Sequence, residues 1–197
     1  DVVDVIHEEH EEDMLKLGGV AVDDLYEAVA DTIRSRLSWL VLNLLTAILA
    51  SIVIGFFQAE IEKVVALAVL MPIVASMGGN AGTQTLTISV RALAMKELTP
   101  DNALRIVGKE VLVGGINGMA FAMLICVIAY FWFDDLMIGI VIGIAMVVNL
   151  LVAGLAGILI PLAINRAGAD PAVGSSILLT TVTDVVGFLC FLGLAAI

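Results

Sequence analysis

The last apolar segment contains the residue best suited to chemistry, a lone carboxylate. Asp184 is the only charged residue between positions 172 and 197. A carboxylate at membrane depth is costly unless it has a partner, so such residues usually mark ion or proton paths. Three threonines add hydroxyl oxygens nearby: Thr180, Thr181 and Thr183. We interpret Asp184 as a cation ligand in a pore that Thr180 and Gly187 also line; the alternative is an aspartate that only hydrogen-bonds a neighbouring helix.

A second polar stretch lies in the apolar segment that ends near position 93. It contains Pro72, which removes a helix hydrogen bond, and three glycines, which are poor helix formers. Its amides and hydroxyls are Asn80, Thr83, Gln84, Thr85 and Thr87. Glycines alone would indicate close helix packing, but polar groups at membrane depth survive where they line a water-filled cavity. We therefore predict that Gly79, Asn80 and Thr83 also line the pore.

An acidic run near the start of the chain is a second candidate for cation binding. Glu9, Glu12 and Asp13 are spaced i, i+3 and i+4, so a helix would place them on one face. Like charges at this spacing repel unless a cation lies between them. The spacing alone leaves two interpretations open, a solvated acidic surface or a cation site.

Composition and segment length define the elements that must hold these residues. The chain is 61% hydrophobic, against about 45–50% in a soluble domain. Five apolar spans reach the roughly 20 residues that cross a bilayer: Leu37–Phe57, Val64–Leu93, Val107–Trp132, Leu136–Ile164 and Ala172–Ile197. We expect an amphipathic helix over Asp23–Arg36 to lead into them, and the acidic helix to end at Gly18–Gly19.

Charges on the connecting segments predict an orientation. Eight of the nine Lys and Arg residues fall on one alternating side of the spans. The positive-inside rule makes that side cytoplasmic, with the N-terminus inside and the C-terminus outside. The fold class is therefore an all-α membrane protein with five transmembrane helices. The net charge of −11 argues against a nucleic-acid partner.

Small and amide residues predict how the spans pack. Two GxxxG pairs occur, Gly114 with Gly118 and Gly139 with Gly143, and both indicate close helix contacts. We expect Asn117 and Asn149 to bridge helices.

Several motifs together resemble the MgtE family of magnesium channels. They are the Met-Gly-Gly-Asn-Ala-Gly-Thr-Gln core within Pro72–Ala94 and its Val-Arg-Ala-Leu-Ala tail, Lys109-Glu110, Gly168-Ala-Asp-Pro-Ala, Thr183-Asp-Val-Val-Gly, and Glu12-Asp-Met-Leu-Lys-Leu-Gly-Gly-Val. The resemblance covers nearly the whole chain. It implies a homodimer in a prokaryotic plasma membrane, with a Mg²⁺ pore on the two-fold axis lined by spans two and five.

The resemblance also assigns roles to residues. Asp184 corresponds to the family's pore aspartate, and Glu9, Glu12 and Asp13 to an acidic cluster that binds regulatory Mg²⁺ in the cytosol. Residues 1–19 resemble the end of a cytosolic CBS-domain region, so we expect further cytosolic domains upstream of a chain that opens without Met. Residues 20–36 would then be the connecting helix and 37–197 the pore domain.

Two other function classes compete with a Mg²⁺ channel. An intramembrane enzyme is disfavoured, because a membrane aspartyl protease needs two aspartates and only Asp184 is central. A proton- or sodium-coupled divalent cation transporter stays open, because a lone protonatable carboxylate suits coupling. Mg²⁺ itself fits the residue types, since it prefers oxygen ligands in octahedral geometry and keeps much of its water.

Overall fold

The computed structural model describes residue 12, residues 15–20 and residues 28–197, apart from the side chains of residues 100 and 101. After a short helical turn at 15–17, the described residues form six helices. They are α1 (Val29–Gly55), α2 (Gln58–Lys63), α3 (Val65–Ala94), α4 (Pro100–Phe133), α5 (Leu136–Arg166) and α6 (Ser175–Ala195). All except α2 are long and apolar enough to cross a membrane, which confirms five candidate spans.

The helix ends follow ordinary capping chemistry. Pro100 is the first residue of α4, where its missing N–H costs nothing. The backbone N–H of Thr99 donates to Asn102 Oδ1 at 2.9 Å, and Asp135 Oδ1 accepts from the N–H of Met137 at 2.8 Å. These caps fix where α4 and α5 begin, and therefore the depth of the residues along them.

Two features differ from expectation. The first membrane helix begins at Val29 instead of Leu37, because residues 29–36 continue into the apolar span without a break. The rest of the expected Asp23–Arg36 helix, residues 23–27, lies outside the described residues. Helix α3 stays α-helical through Pro72 and all its glycines, and two of them, Gly78 and Gly82, make close contacts with other helices.

Helix α5 is the centre of the bundle and packs against α3, α4 and α6. Both predicted GxxxG pairs lie at its contact with α4. A Cβ on Gly114 would lie 2.8 Å from the carbonyl oxygen of Leu150, and one on Gly139 would lie 2.8 Å from that of Cys126. The backbones therefore approach closely, as the sequence predicts.

The long helices alternate in direction. Gly82 of α3 faces Leu179 of α6 and Gly187 faces Val74, so α3 and α6 are antiparallel. Most basic residues lie at one end of the bundle, here called the basic end: Lys16, Arg34, Arg36, Arg91, Lys96, Arg105, Lys109 and Arg166. The opposite, acidic end carries Glu60, Glu62, Asp134 and Asp135. Helix α1 packs on α6 near the acidic end through Ala50 and Val53, and most of its remaining surface is exposed.

Candidate ion pathway and its docking segment

Asp184 lies midway along α6 and is half-buried. Within the described part of the chain, no side chain or backbone group forms a hydrogen bond or ion pair with its carboxylate. A carboxylate at that depth needs a counter-charge, water or a cation to be stable. The arrangement therefore favours a ligand from outside the chain.

A polar stripe runs along the exposed surface of α3. Ser76, Asn80, Thr83 and Thr87 are all exposed, and their spacing of four, three and four residues places them on one helix face. Gly79 borders the stripe, and a Cβ there would meet nothing within 4 Å. Asn80, Thr83 and Gly79 were predicted from the sequence to lie on this face, and Ser76 was not. The spacing of four residues between Ser76 and Asn80 does indicate a shared helix face.

The stripe and Asp184 lie at the same depth. Because Val74 contacts Gly187 and Gly82 contacts Leu179, the antiparallel register puts Asp184 level with the turn Ser76–Asn80. Thr180 of α6 is exposed and lies about one turn nearer the basic end. Gly187 is instead buried between Val74 and the side chain of Asn149, so it contributes a close helix contact.

The threonine hydroxyls are held by their own helices. Thr83 Oγ1 donates to the carbonyl oxygen of Gly79 at 2.8 Å, and Thr87 Oγ1 to that of Thr83 at 2.9 Å. Thr180 Oγ1 donates to the carbonyl oxygen of Ser176 at 2.9 Å. These bonds fix the side-chain rotamers along both helices.

A single chain offers few ligands for a metal ion. The residues that the structure describes include no group of three His, Cys, Asp or Glu side chains able to hold one. Glu9 and Asp13 of the acidic cluster lie outside the described residues. Glu12 is described, and its carboxylate lies 3.5 Å from the ammonium of Lys16 one turn along.

A short docking segment, residues 15–20, attaches to the basic end of α6. Lys16 Nζ lies 3.2 Å from Asp170 Oδ2 in the loop before α6. The hydroxyl of Ser176 donates to the carbonyl oxygen of Leu17 at 2.8 Å, and the Leu17 side chain packs on the cluster formed by Leu86, Val90, Ala156, Ala172 and Leu179. The segment thus touches both candidate pathway helices.

The ion pair with Asp170 also affects titration of the lysine. The hydrogen bond that the Lys16 ammonium donates to Asp170 is the main cause of a raised Lys16 pKa, with smaller contributions from the charges of Asp170 and Glu12. Burial acts in the opposite direction. Lys16 is therefore charged throughout the physiological range.

Gly19 ends the docking segment in a conformation that requires glycine. Its φ is +70°, in the left-handed region, and a Cβ there would collide with the indole of Trp39 on α1. The predicted helix end at Gly18–Gly19 is confirmed, since residues 18 and 19 form a turn after the helical residues 15–17.

A polar groove lies between α3 and α4, with α5 as its floor. It measures about 220 Å³ and is lined in part by Gln84, Lys109 and Asn117. Glu110 Oε2 accepts a hydrogen bond from Thr85 at 3.0 Å, and its Oε1 lies 3.8 Å from Lys109 Nζ. Asn149 bridges helices as predicted. Asn117 lines this groove instead, because α5 holds α3 and α4 apart, and no described residue hydrogen-bonds to it.

These features define an all-α, multi-pass membrane protein whose polar residues concentrate on two adjacent helices. Residues 71–194 match the family model described as "MgtE: Divalent cation transporter". Since that match covers more than half of the chain, the chain belongs to the MgtE family, whose members are transporters and not enzymes.

Curated relatives support the same assignment. The chain is 35% identical over 196 residues to "Magnesium transporter MgtE" of Enterococcus faecalis, which covers 100% of this chain and 43% of the relative. It is 35% identical over 198 residues to the protein of the same name from Thermus thermophilus and 30% over 196 residues to that from Bacillus subtilis, covering 99% of this chain and 44% of each relative. The chain therefore spans less than half the length of these relatives.

Proposed function

We propose that this chain is the membrane pore of a Mg²⁺ channel or transporter whose flow is controlled by cytosolic Mg²⁺. The observation that carries the proposal is Asp184, a carboxylate at membrane depth without a partner among the described residues, level with the polar stripe of α3. The relatives named as magnesium transporters support Mg²⁺ as the ion. The path would be bordered by Thr180, Gly79, Asn80 and Thr83. Gly187 would let α5 and α3 pack closely against α6.

The pore would form between two copies of the chain. One Asp184 is a poor site for a divalent cation, whereas a two-fold axis beside α6 would bring two carboxylates to one ion. They would bind it through its water shell, because Mg²⁺ loses water reluctantly. The exposed stripe on α3 supports this assembly, since polar side chains in a bilayer must face protein or water.

The orientation follows from charge. The basic end would face the cytoplasm by the positive-inside rule, in a prokaryotic plasma membrane. The N-terminus would then be inside and the C-terminus outside. Residues 1–19 would belong to a cytosolic regulatory region, 20–36 to a connecting helix and 37–197 to the pore domain.

The acidic cluster would read the cytosolic Mg²⁺ concentration. Glu9, Glu12 and Asp13 repel one another when no cation is present. Mg²⁺ binding would remove that repulsion and favour the arrangement in which the docking segment holds the basic end of α6. Binding can change the gate only through a difference in affinity between its two states. A channel that responds to cytosolic Mg²⁺ must stop when the ion is plentiful, so we assign the higher affinity to the closed state.

Flux measurements test the proposal. The protein would be placed in proteoliposomes containing a Mg²⁺ dye. We expect Asp184→Ala and Asp184→Asn to abolish Mg²⁺ uptake and Glu62→Gln, at the acidic end, to leave it unchanged. Wild-type uptake by a folded Asp184→Ala variant would reject the pathway.

The same vesicles distinguish a channel from a coupled transporter. We expect uptake to follow the Mg²⁺ gradient and the membrane potential alone. Uptake that requires an imposed proton or sodium gradient would instead identify a coupled carrier, in which Asp184 transfers the coupling ion.

A further inference from the structure

A fully buried amide lies between the two candidate pathway helices. Asn149 is in the middle of α5 and is 0% exposed. Its Nδ2 donates to the carbonyl oxygen of Val74 on α3 at 2.8 Å. Its Oδ1 is the one buried side-chain oxygen or nitrogen, within the described ranges, that has no hydrogen-bond partner.

Two glycines on different helices make room for this amide. A Cβ on Gly78 of α3 would lie 2.8 Å from Asn149 Cγ and 2.9 Å from its Oδ1. A Cβ on Gly187 of α6 would lie 2.8 Å from its Nδ2. Real Cβ contacts are not this short, so the carboxamide fills a notch that any larger residue at either position would close.

The notch adjoins both parts of the candidate pathway. Gly187 is three residues, or nearly one turn, from Asp184, and Gly78 is within one turn of Ser76 and Asn80. The amide bonds to Val74 O on α3, the helix that carries the polar stripe. A shift of Asn149 would therefore move α3 against α6 at the depth of Asp184.

Simple stabilisation does not account for an amide here. A buried oxygen without a partner reduces stability, and an apolar side chain would avoid that loss. An amide, unlike an apolar group, forms a directional hydrogen bond to one carbonyl. That bond specifies a position along α3.

We propose that Asn149 is a positioning residue for ion selection, and that its carboxamide sets the register of α3 against α6 and so the position of Asp184 relative to the polar stripe. The inference rests on the proposed function of Asp184. It adds Asn149, a residue on a third helix, and this residue borders neither the polar stripe nor the Asp184 carboxylate.

The test compares selectivity with stability in the full-length protein in planar bilayers. We expect Asn149→Ala to lower the Mg²⁺ over Ca²⁺ permeability ratio by roughly tenfold, which is within the range for residues that influence a site without contacting its ligand. Its thermal melting point should stay near that of the parent. Asn117→Ala, which removes the same side chain from α4, is the matched control and should leave both properties unchanged.

Conservative variants separate the bond from the volume. Asn149→Asp stays neutral in this fully buried site and keeps an O–H donor for Val74 O, and we expect it to retain more selectivity than Asn149→Leu, which keeps the branched shape without a donor. Gly78→Ala should lower the ratio by displacing the amide, and combining it with Asn149→Ala should add nothing, because the two changes act on one contact. If Asn149→Ala does not fold, the comparison of the Asp and Leu variants decides whether the bond positions the helices.

Two results would overturn the inference. Parent-like permeability ratios in folded Asn149→Ala or in folded Asn149→Leu would show that the amide does not position the helices. Asp184→Ala, measured in the same bilayers, distinguishes failure of this inference from failure of the proposed pathway. If Asp184→Ala is silent while Asn149 variants behave as the parent, only this inference fails; if Asp184→Ala conducts normally, both fail.

Discussion

Lys16 and Asp170 are 154 residues apart in sequence, yet Lys16 Nζ lies 3.2 Å from Asp170 Oδ2. This ion pair joins the docking segment to the loop that starts α6, the helix that carries Asp184. The hydrogen bond from Ser176 to the carbonyl oxygen of Leu17 is a second link at the same place. A change in the N-terminal segment therefore has a direct mechanical route to the candidate pathway.

The first prediction concerns the pH dependence of this link. The Lys16 pKa is raised above its usual 10.5, so the ion pair is complete below that pH and is lost as pH rises through the higher folded value. We expect Trp39 fluorescence, read in a Trp132→Phe background, to be constant from neutral pH to about 10.5 and to change above it. Lys16→Gln should remove the alkaline transition, and a transition that persists in this variant would contradict the assignment.

A second prediction uses two neighbouring glycines. Gly19→Ala should detach the docking segment, because the residue has a positive φ and its methyl group would strike Trp39. The left-handed conformation alone costs about 1–2 kcal/mol. Faster proteolysis or hydrogen exchange of residues 15–20 would report the detachment. Gly18→Ala is the control, since its Cβ would meet nothing closer than 3.4 Å; equal effects of both changes would count against the specific contact.

A third prediction separates Gly79 and Gly82, two of the three glycines of α3. Gly79→Leu should leave the protein folded, because a Cβ there meets nothing within 4 Å, but it should block Mg²⁺ uptake by filling the open face. Gly82→Leu should reduce the yield of folded protein, because its Cβ would lie 2.8 Å from Leu179 Cδ1. Uptake and size-exclusion profiles measured together check both. Normal uptake by folded Gly79→Leu would place this face outside the pathway.

The fourth prediction concerns regulation by the acidic cluster. Changing Glu9, Glu12 and Asp13 together to Ala should leave the full-length protein active at internal Mg²⁺ concentrations that close the parent, without altering its unit conductance. The reason is that the carboxylates contribute to closure only through their higher Mg²⁺ affinity in the closed state. Glu60→Ala with Glu62→Ala, at the acidic end, is the control. Closure of the triple variant at the parent's Mg²⁺ concentration would identify the cluster as ordinary solvated surface.

Sequence patterns predicted the spans well, because roughly 20 apolar residues have few alternatives to a membrane helix. The GxxxG pairs likewise predicted the contact of α4 with α5, since spacing and residue size carry that information. The notch could not be predicted in the same way. Asn149 was expected to bridge helices, but its partners on α3 and α6 depend on the register of three helices.

The docking segment shows a second limit of sequence reasoning. Nothing in the local pattern around Lys16 indicates Asp170, because the two residues are 154 positions apart and only the tertiary packing brings them together. Helix α1 shows the opposite case. Its early start at Val29 follows from an unbroken run without glycine or proline up to Ile54, which a boundary drawn from hydropathy alone overlooks.

The hydroxyl bonds of Thr83, Thr87 and Thr180 have one more consequence. Each hydroxyl hydrogen is directed to a carbonyl of its own helix, so each side chain presents only oxygen lone pairs to its surroundings. Such a wall is electronegative without carrying formal charge. It accepts hydrogen bonds from the water shell of a cation and offers none to an anion, and because threonine does not titrate, this preference is independent of pH.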